Sequence, residues 1–342
     1  MSIRIPDNTT ISFAGREALP EVHVLVRQCY GKAAEPLDWW AWRYFGTGSP
    51  PSEFCLARVG SILAGIQPVS WTRFRFGEAF LRGGVLTGVM VHPNYRRRGL
   101  FSMMIRACER RAWEQGIDFL MTMPNDRSRP GFLKLGWTVP RPRTLLVKVL
   151  DPEEAARRIP GGILLLYRPL LRALFRTGSN RADAEPLLPA FTPPIGLPWT
   201  ESGLAVERSG EWLQWRYWDR PGQPYRCWIR QDSTGFGAYD IRKWGDLNVA
   251  FVLETRSSTR EGQSLLLSAM AEAALQEGAS VAAAVESSPA DIKAYRRAGF
   301  RAVPACLAPK RFWLAFTPNP SAPLLPRTIG AWALHLADWD GV

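Results

Sequence analysis

The sequence predicts a mixed α/β fold built twice in tandem, and three observations predict it. An apolar, β-branched run at Leu86 to Val91, stopped by Pro93, leads through a basic Gly-containing turn into an amphipathic helix. A meander of paired strands precedes that unit, so antiparallel strands feed a strand–helix–strand crossover. The same order of elements then recurs in the second half of the chain, starting from Trp212-Leu-Gln-Trp215-Arg216-Tyr217, which echoes Trp39-Trp40-Ala-Trp42-Arg43-Tyr44.

Length and composition set the bounds. At 342 residues the chain is long enough for about two domains of roughly 150 residues. With 46% apolar residues it folds rather than staying disordered. The net charge of +12 comes mainly from arginine, since lysine stands only at Lys32, Lys134, Lys148, Lys243, Lys293 and Lys310. That balance suits an anionic ligand or a solvated basic surface; with no nucleic-acid module signature beside it, nucleic acid is not an expected partner. Cys29, Cys55, Cys108, Cys227 and Cys306 are widely spaced and form no C-x-x-C pair. A reduced, cytoplasmic protein is expected. His23, His92 and His335 make no metal-ligand spacing, so no metal is expected. The absence of a G-x-S-x-G elbow or Walker loop gives no support to serine hydrolysis or nucleotide phosphoryl transfer.

Taken in order, Thr10 to Phe13 reads as a first strand and Leu19 to Tyr30 as a helix on Leu19, Val22, Val26 and Cys29. Trp39, Trp40, Trp42 and Tyr44 follow at helical spacing and read as core. Phe54 to Val59 and Ile62 to Phe76 flank a hairpin turn at Gly60-Ser61, and Gly77-Glu78 turns the chain into the next strand. From Leu100 the period changes. Leu100, Met103, Met104, Ala107, Cys108 and Ala112 form one helical face ending at Gly116.

The turn before that helix is the candidate binding site. A helix start leaves its first N–H groups unpaired and carries partial positive charge. Arg96, Arg97 and Arg98 add full charges, and Gly99 allows close backbone approach, so a phosphate or pyrophosphate is the natural ligand.

This stretch resembles the acyl-coenzyme A motif of the GNAT N-acyltransferase superfamily, Q/R-x-x-G-x-G/A, with Arg96, Gly99 and Phe101 at the motif positions. Phe101, followed by Ser102, replaces the usual small residue. Asn125, then Phe132, Lys134, Gly136 and Trp137, resemble the family's N-x6-aromatic-x-K-x-G-F ending. The resemblance implies an N-acetyltransferase that takes acetyl-CoA as cosubstrate, with no metal, and passes the acetyl group to a small-molecule or sugar amine by direct attack. It implies oxyanion stabilisation by a backbone N–H within Val89, Met90 and Val91, and coenzyme contacts from Val91, Arg96, Arg97, Arg98, Gly99, Leu100, Phe101, Ser102, Asn125 and Phe132. Phe132 stands where many members have a tyrosine acid and cannot donate a proton. Glu78, before the strand, is the one carboxylate considered as base. The rival readings are a noncatalytic acyl-CoA sensor or scaffold, and acyl or aminoacyl transfer in cell-surface polysaccharide metabolism.

Domain boundaries are expected at 1–150 for the coenzyme-binding domain, 151–200 for a proline-rich linker and 201–342 for a second domain of the same fold. Within the linker the apolar, arginine-spaced segment Ile163 to Arg176 reads as a packed helix broken by Pro169, with an anionic membrane surface as its alternative contact. In the second half Glu261 stands near the matching helix start in place of the arginine-glycine loop. A carboxylate competes with pyrophosphate there, so coenzyme is expected only in the first copy.

Overall fold

The computed structural model describes residues 6–158, 187–194, 203–222, 225–231, 234–288, 291–304, 308, 310–322 and 332–338. In chain order the first elements are β1 (Thr9–Ala14), α1 (Leu19–Tyr30), α2 (Leu37–Phe45), β2 (Ser52–Val59), β3 (Ile62–Phe76), β4 (Ala79–Leu86) and β5 (Met90–Val91). Next come α3 (Leu100–Glu114), β6 (Phe119–Thr122), α4 (Arg129–Lys134), β7 (Leu145–Val149), α5 (Pro152–Arg158), β8 (Leu187–Pro189) and β9 (Ala205–Val206). Then follow α6 (Gly210–Leu213), running into a π turn at Gln214–Trp218, β10 (Arg226–Arg230), β11 (Gly235–Trp244) and β12 (Leu247–Ser257). The last are α7 (Arg260–Gln276), β13 (Val281–Val285), α8 (Ile292–Arg297), β14 (Arg301–Ala302) and β15 (Ala315–Pro318). The Ile163 to Arg176 segment lies outside the described residues. Among those described, no helix is long and apolar enough to cross a membrane.

Two compact units result, and they do not follow the boundaries expected at 150 and 200. The first comprises Met1–Pro142, Leu204–Pro224 and Trp313–Ala331; the second comprises Arg143–Gly203, Tyr225–Phe312 and Trp332–Val342. Strand pairing is the reason. β7 lies antiparallel to β13 along its whole length, from Leu145↔Val285 to Val149↔Val281. β15 lies antiparallel to β6, from Ala315↔Thr122 to Pro318↔Phe119. An alternating apolar strand announces that it will pair but not with which neighbour, so a linear boundary misses this.

The first sheet runs β1-β2-β3-β4-β6-β15, with β5 and β9 also on β3. Its two faces follow from strand alternation. On β2, Cys55 and Ala57 join Leu100, Met104, Ile105, Cys108 and Ala112 of α3 in one core. Phe54 and Leu56 point the other way, into a core with Val22, Leu25 and Val26 of α1 and Trp40 and Tyr44 of α2. The α3 core is tied to the chain beyond α4 by a buried Glu109, which accepts from Trp137 Nε1 at 2.7 Å and from Arg106 Nη1 at 2.7 Å. The aromatic stretch at 39–44 is therefore core, as its spacing predicts.

The second sheet runs β14-β7-β13-β12-β11-β10-β8. β12 and β13 are parallel and joined by α7, whose Leu266, Leu267, Met270 and Ala274 pack on Tyr239, Ala250, Val252 and Ala282. This repeats the β4–α3–β6 crossover, where β4 and β6 are parallel.

The echoed tryptophan motifs meet inside the first unit. Trp42 Nε1 donates to the Trp215 carbonyl at 2.8 Å, and Trp215 Nε1 donates to the Trp42 carbonyl at 2.7 Å. Their rings lie 5.7 Å apart, with Arg43 over Trp215 at 5.4 Å and Arg216 over Trp42 at 5.7 Å. Trp215→Phe keeps an aromatic ring in place and removes one of two donors to the Trp42 carbonyl, which also accepts from the Gly46 N–H at 3.1 Å. It is expected to cost about 0.5–1.5 kcal/mol in urea unfolding. A loss below about 0.5 kcal/mol would show that the reciprocal bonds contribute little.

Candidate active site

The stretch 86–91, expected as one strand, is two. β3 pairs with β4 as far as Val69↔Leu86 and resumes with β5 at Ile66↔Met90. Gln67 and Pro68 of β3 thus face Thr87, Gly88 and Val89, one residue more, which is the definition of a bulge. Gly88 takes φ +62°, a backbone conformation that side chains disfavour. On the far side β6 ends at Thr122, opposite Leu86. Beyond the bulge, β5 has β3 on one edge and no strand among the described residues on the other.

That open edge exposes the N–H and carbonyl of one residue, Val91. His92 N–H donates to the Ala64 carbonyl at 2.9 Å, so the antiparallel alternation turns Met90 toward β3 and Val91 away from it. The Val91 carbonyl confirms the direction. It accepts from Arg96 Nε at 3.2 Å and from the Cys29 thiol at 3.7 Å. The Val91 N–H points the same way, whereas the Met90 N–H is spent on the ladder. Of the two candidates in β5, Val91 is the one so turned. The Cys29 thiol is pushed up in pKa by burial, against the lowering effect of the nearby Arg96.

The basic turn adjoins this edge. His92 Nδ1 accepts from the Asn94 N–H at 3.2 Å and so caps the short turn at 93–95. Arg97 sits at φ +60° and Gly99 at φ +82°, conformations that bracket Arg98 and turn successive N–H groups toward one side. Arg98 stacks over Tyr95 at 5.5 Å. Gly99 is the N-cap of α3 and has no side chain with which to satisfy the N–H groups of its first turn. Arg96, Arg97, Arg98 and Ser102 are exposed there, while the Leu100 side chain is buried and leaves only its backbone to a ligand. An uncapped helix start flanked by three exposed cations fits a pyrophosphate.

The other expected contacts divide. Phe101 turns sideways: a Cβ on Gly131 would come within 2.6 Å of its ring, and its centroid lies 5.1 Å from that of Phe132. The bulky residue at the motif's small position is thus accommodated against α4. Phe132 is 1% exposed, between Phe101 and Trp137, so it is a core residue and not a contact on the loop surface. Asn125 follows β6 closely, but its Oδ1 accepts from the N–H groups of Arg127 at 3.0 Å and Ser128 at 2.9 Å. Its side-chain oxygen shapes the entry to α4. Glu78 is misplaced as a base. It lies at the β3–β4 turn, its side chain 97% exposed beside Arg75 at 3.5 Å. Ten residues of β3 separate that turn from the β5 pairing, about 33 Å of extended chain.

Two contributors escaped the sequence reading. Trp313 holds the loop after β6, donating from Nε1 to Asp126 Oδ1 at 2.7 Å with Arg129 over its ring at 4.3 Å. Nothing local in the sequence links it to a loop nearly two hundred residues earlier. Gln67 lies buried at the bulge, and its signal is the Gln-Pro pair inside an otherwise strand-like run.

The matching helix start in the second unit differs. Thr259 caps α7, its Oγ1 accepting from the Gly262 N–H at 3.0 Å, and Glu261 sits in the first turn. α7 begins at Arg260, so Glu261 is its second residue. β12, Leu247 to Ser257, carries a bulge of its own: Tyr239 of β11 pairs with Val252 and Ala238 with Glu254, which leaves Leu253 as an extra residue just beyond the parallel pairing with β13.

Residues 10–139 match the family model of the acetyltransferase (GNAT) domain. No curated protein is significantly similar to the chain in sequence. Among solved structures, a probable N-acyltransferase from Enterococcus faecalis V583 has a TM-score of 0.58 at 12% identity, over 90% of this chain and 71% of its own. A GCN5-related N-acetyltransferase from Anabaena variabilis ATCC 29413 has a TM-score of 0.57 at 11% identity, over 90% and 72%. The N-myristoyltransferase of Saccharomyces cerevisiae, solved with bound myristoyl-CoA and inhibitors, has 0.57 at 11%, over 92% and 83%. At these identities the structural likeness is one of fold. With the domain model, the bulged strand and the arginine-glycine helix start in register, residues 10–139 are a domain of the GNAT superfamily.

Proposed function

We propose that the first unit transfers an acyl group, acetyl in the first instance, from acyl-coenzyme A to the amine of a small molecule or sugar. One observation carries this reading: the Val91 N–H faces away from its own sheet beside an uncapped, arginine-flanked helix start. The start of α3, with Arg96, Arg97, Arg98 and Gly99, suits the pyrophosphate. The Val91 N–H is placed to donate to the acyl carbonyl as negative charge develops on its oxygen. The Val91 carbonyl, in the next peptide, is held by Arg96 and Cys29, so the residue is fixed and little reorganisation is needed at that moment. The amine must attack with a free lone pair, so its ammonium proton is lost first. Phe132 gives no proton to the departing thiolate, and a thiol of pKa about 8.5 leaves without one.

The acetyl assignment rests on packing. Trp40, Tyr44, Ile66 and Met90 close the core beneath β5, which favours a short acyl group. A surface groove of about 490 Å³ lined by Val24, Arg27, Gln28, Gly31 and Lys32 starts one residue from Cys29 and is a candidate approach for the acceptor. The second unit, whose helix start is capped by Thr259 and carries Glu261 in its first turn, is assigned no coenzyme. It is read as a degenerate copy of the same fold.

Calorimetry with acetyl-CoA tests the site. Gly99→Glu forces a side chain into a left-handed position and sets a carboxylate against the pyrophosphate, so binding should fall at least about a hundredfold with the thermal midpoint little changed. Unchanged affinity in the folded variant would remove the site. The same titration should give one coenzyme per chain, and two equivalent sites would overturn the degenerate-copy reading. Glu78→Gln should leave kcat and its pH profile as in the parent, measured with whichever amine a broad panel shows to be acetylated. Loss of a limb of that profile would return Glu78 to the mechanism.

A further inference from the structure

Pro68 lies inside a strand that has neighbours on both sides, Phe54 of β2 on one and the end of β4 on the other. Its carbonyl accepts from the Thr87 N–H at 3.4 Å, so carbonyl and ring nitrogen both face the β4 side. In a regular ladder this pair would exchange two bonds. The reciprocal bond, from residue 68 to the Thr87 carbonyl, needs an N–H that proline lacks. The neighbouring side chain supplies it. Gln67 Nε2 donates to the Thr87 carbonyl at 3.1 Å and to the Pro68 carbonyl at 2.7 Å.

We infer that Gln67 is a positioning residue of the acyl site, its side-chain amide standing in for the missing Pro68 N–H and so fixing the bulge that turns the Val91 N–H outward. The inference rests on the acyl-coenzyme A reading above. Gln67 is 1% exposed, so its amide is committed to this place and not to solvent. Its Oε1 is buried with no donor among the described residues, which shows that the side chain is held by what it donates. The peptide it grips is pinned from the opposite face as well. Tyr44 Oη and Thr87 Oγ1 are 3.0 Å apart, and a Cβ on Gly88 would lie 3.2 Å from the same Tyr44 hydroxyl. Thr87 is thus fixed through backbone and side chain one residue before the chain departs from β3. The lone proline of β3 explains why the ladder stops there, and Gln67 explains why it stops in one defined geometry.

The readout is the ratio of coenzyme A to acetyl-CoA dissociation constants, since the Val91 N–H meets the acetyl carbonyl and not the pyrophosphate. The parent should favour acetyl-CoA. Gln67→Leu removes the donor and should cut that preference about tenfold while coenzyme A affinity stays within about twofold. Pro68→Ala restores a backbone N–H, so Gln67→Leu/Pro68→Ala should recover the preference. In Gln67→Glu the preference should return only on the acid side, where the buried carboxyl is protonated and donates to Thr87. Equal loss of both affinities in Gln67→Leu, an undiminished preference, or no rescue by Pro68→Ala would each overturn the inference. Equal affinity of the parent for the two ligands would do so too. If Gln67→Leu does not fold, the comparison of Gln67→Leu/Pro68→Ala with Pro68→Ala decides: matching preferences support the substitution of one donor by another, and a deficit overturns it. Failure of the underlying acyl-coenzyme A reading would look different, as no binding of either ligand to the parent.

Discussion

A strand in the middle of a sheet must offer hydrogen bonds to both sides, and β3 cannot do so at Pro68. The ladder with β4 ends there, an extra residue accumulates in 87–89, and β5 restarts with its outer edge open. Much of the first unit is arranged about that defect. α1 sends Cys29 to the Val91 carbonyl, α2 sends Tyr44 to Thr87, and the turn at 96–99 sends Arg96 back to the same carbonyl. These contacts meet at the carboxyl ends of the parallel strands β4 and β6, where an α/β sheet characteristically opens to ligands. A local shortage of one N–H in the ladder leaves another, two strands' turn further on, free for chemistry.

The first unit is not a contiguous stretch of chain. Its sheet needs β15 to cover the outer edge of β6 and β9 to pair with Phe74 and Arg75 of β3, and the buried Trp42 indole needs the Trp215 carbonyl. A chain cut at residue 150 would expose β6 as an edge strand with apolar neighbours, a template for aggregation. It would also leave the buried Trp42 indole N–H without its acceptor. The loop after β6 would lose Trp313, which grips Asp126. The 10–139 stretch that matches the family model therefore carries the site's residues but not everything that holds them in place.

Local pattern made much of this legible. The period-3.6 face of α3, the two-residue hairpins at Gly60-Ser61 and Gly77-Glu78, and the arginine-glycine turn are signals carried by consecutive residues, and the structure has each where the pattern puts it. What was not legible depends on distance along the chain. The apolar run 86–91 looks like one strand because β-propensity counts side chains, while the bulge is set by Pro68 on the neighbouring strand. The pairing of β7 with β13 and of β15 with β6 joins segments more than a hundred residues apart, and period-2 alternation is indifferent to such choices. Glu78 immediately precedes β4 in sequence, yet a strand carries its two ends far apart. Phe132 and Asn125 sit at motif positions, but a motif position specifies a place in the fold and not the direction of a side chain.

The two helix starts, α3 and α7, show what decides whether such a place can take an anion. Both follow a strand that runs parallel to the next one, and both open a helix with an apolar face on the sheet. At α7 the Thr259 hydroxyl occupies an orphan N–H, Glu261 opposes any second anion, and a Cβ on Gly262 would collide with Ser257 Oγ at 2.4 Å. At α3 the cap is a glycine in the left-handed region, Arg97 two residues before it is held there too, and the bulky Phe101 is drawn off against Gly131. The helix dipole is common to both and so cannot discriminate. The difference lies in side chains: a hydroxyl and a carboxylate close one start, while a missing Cβ and a ring turned aside keep the other accessible.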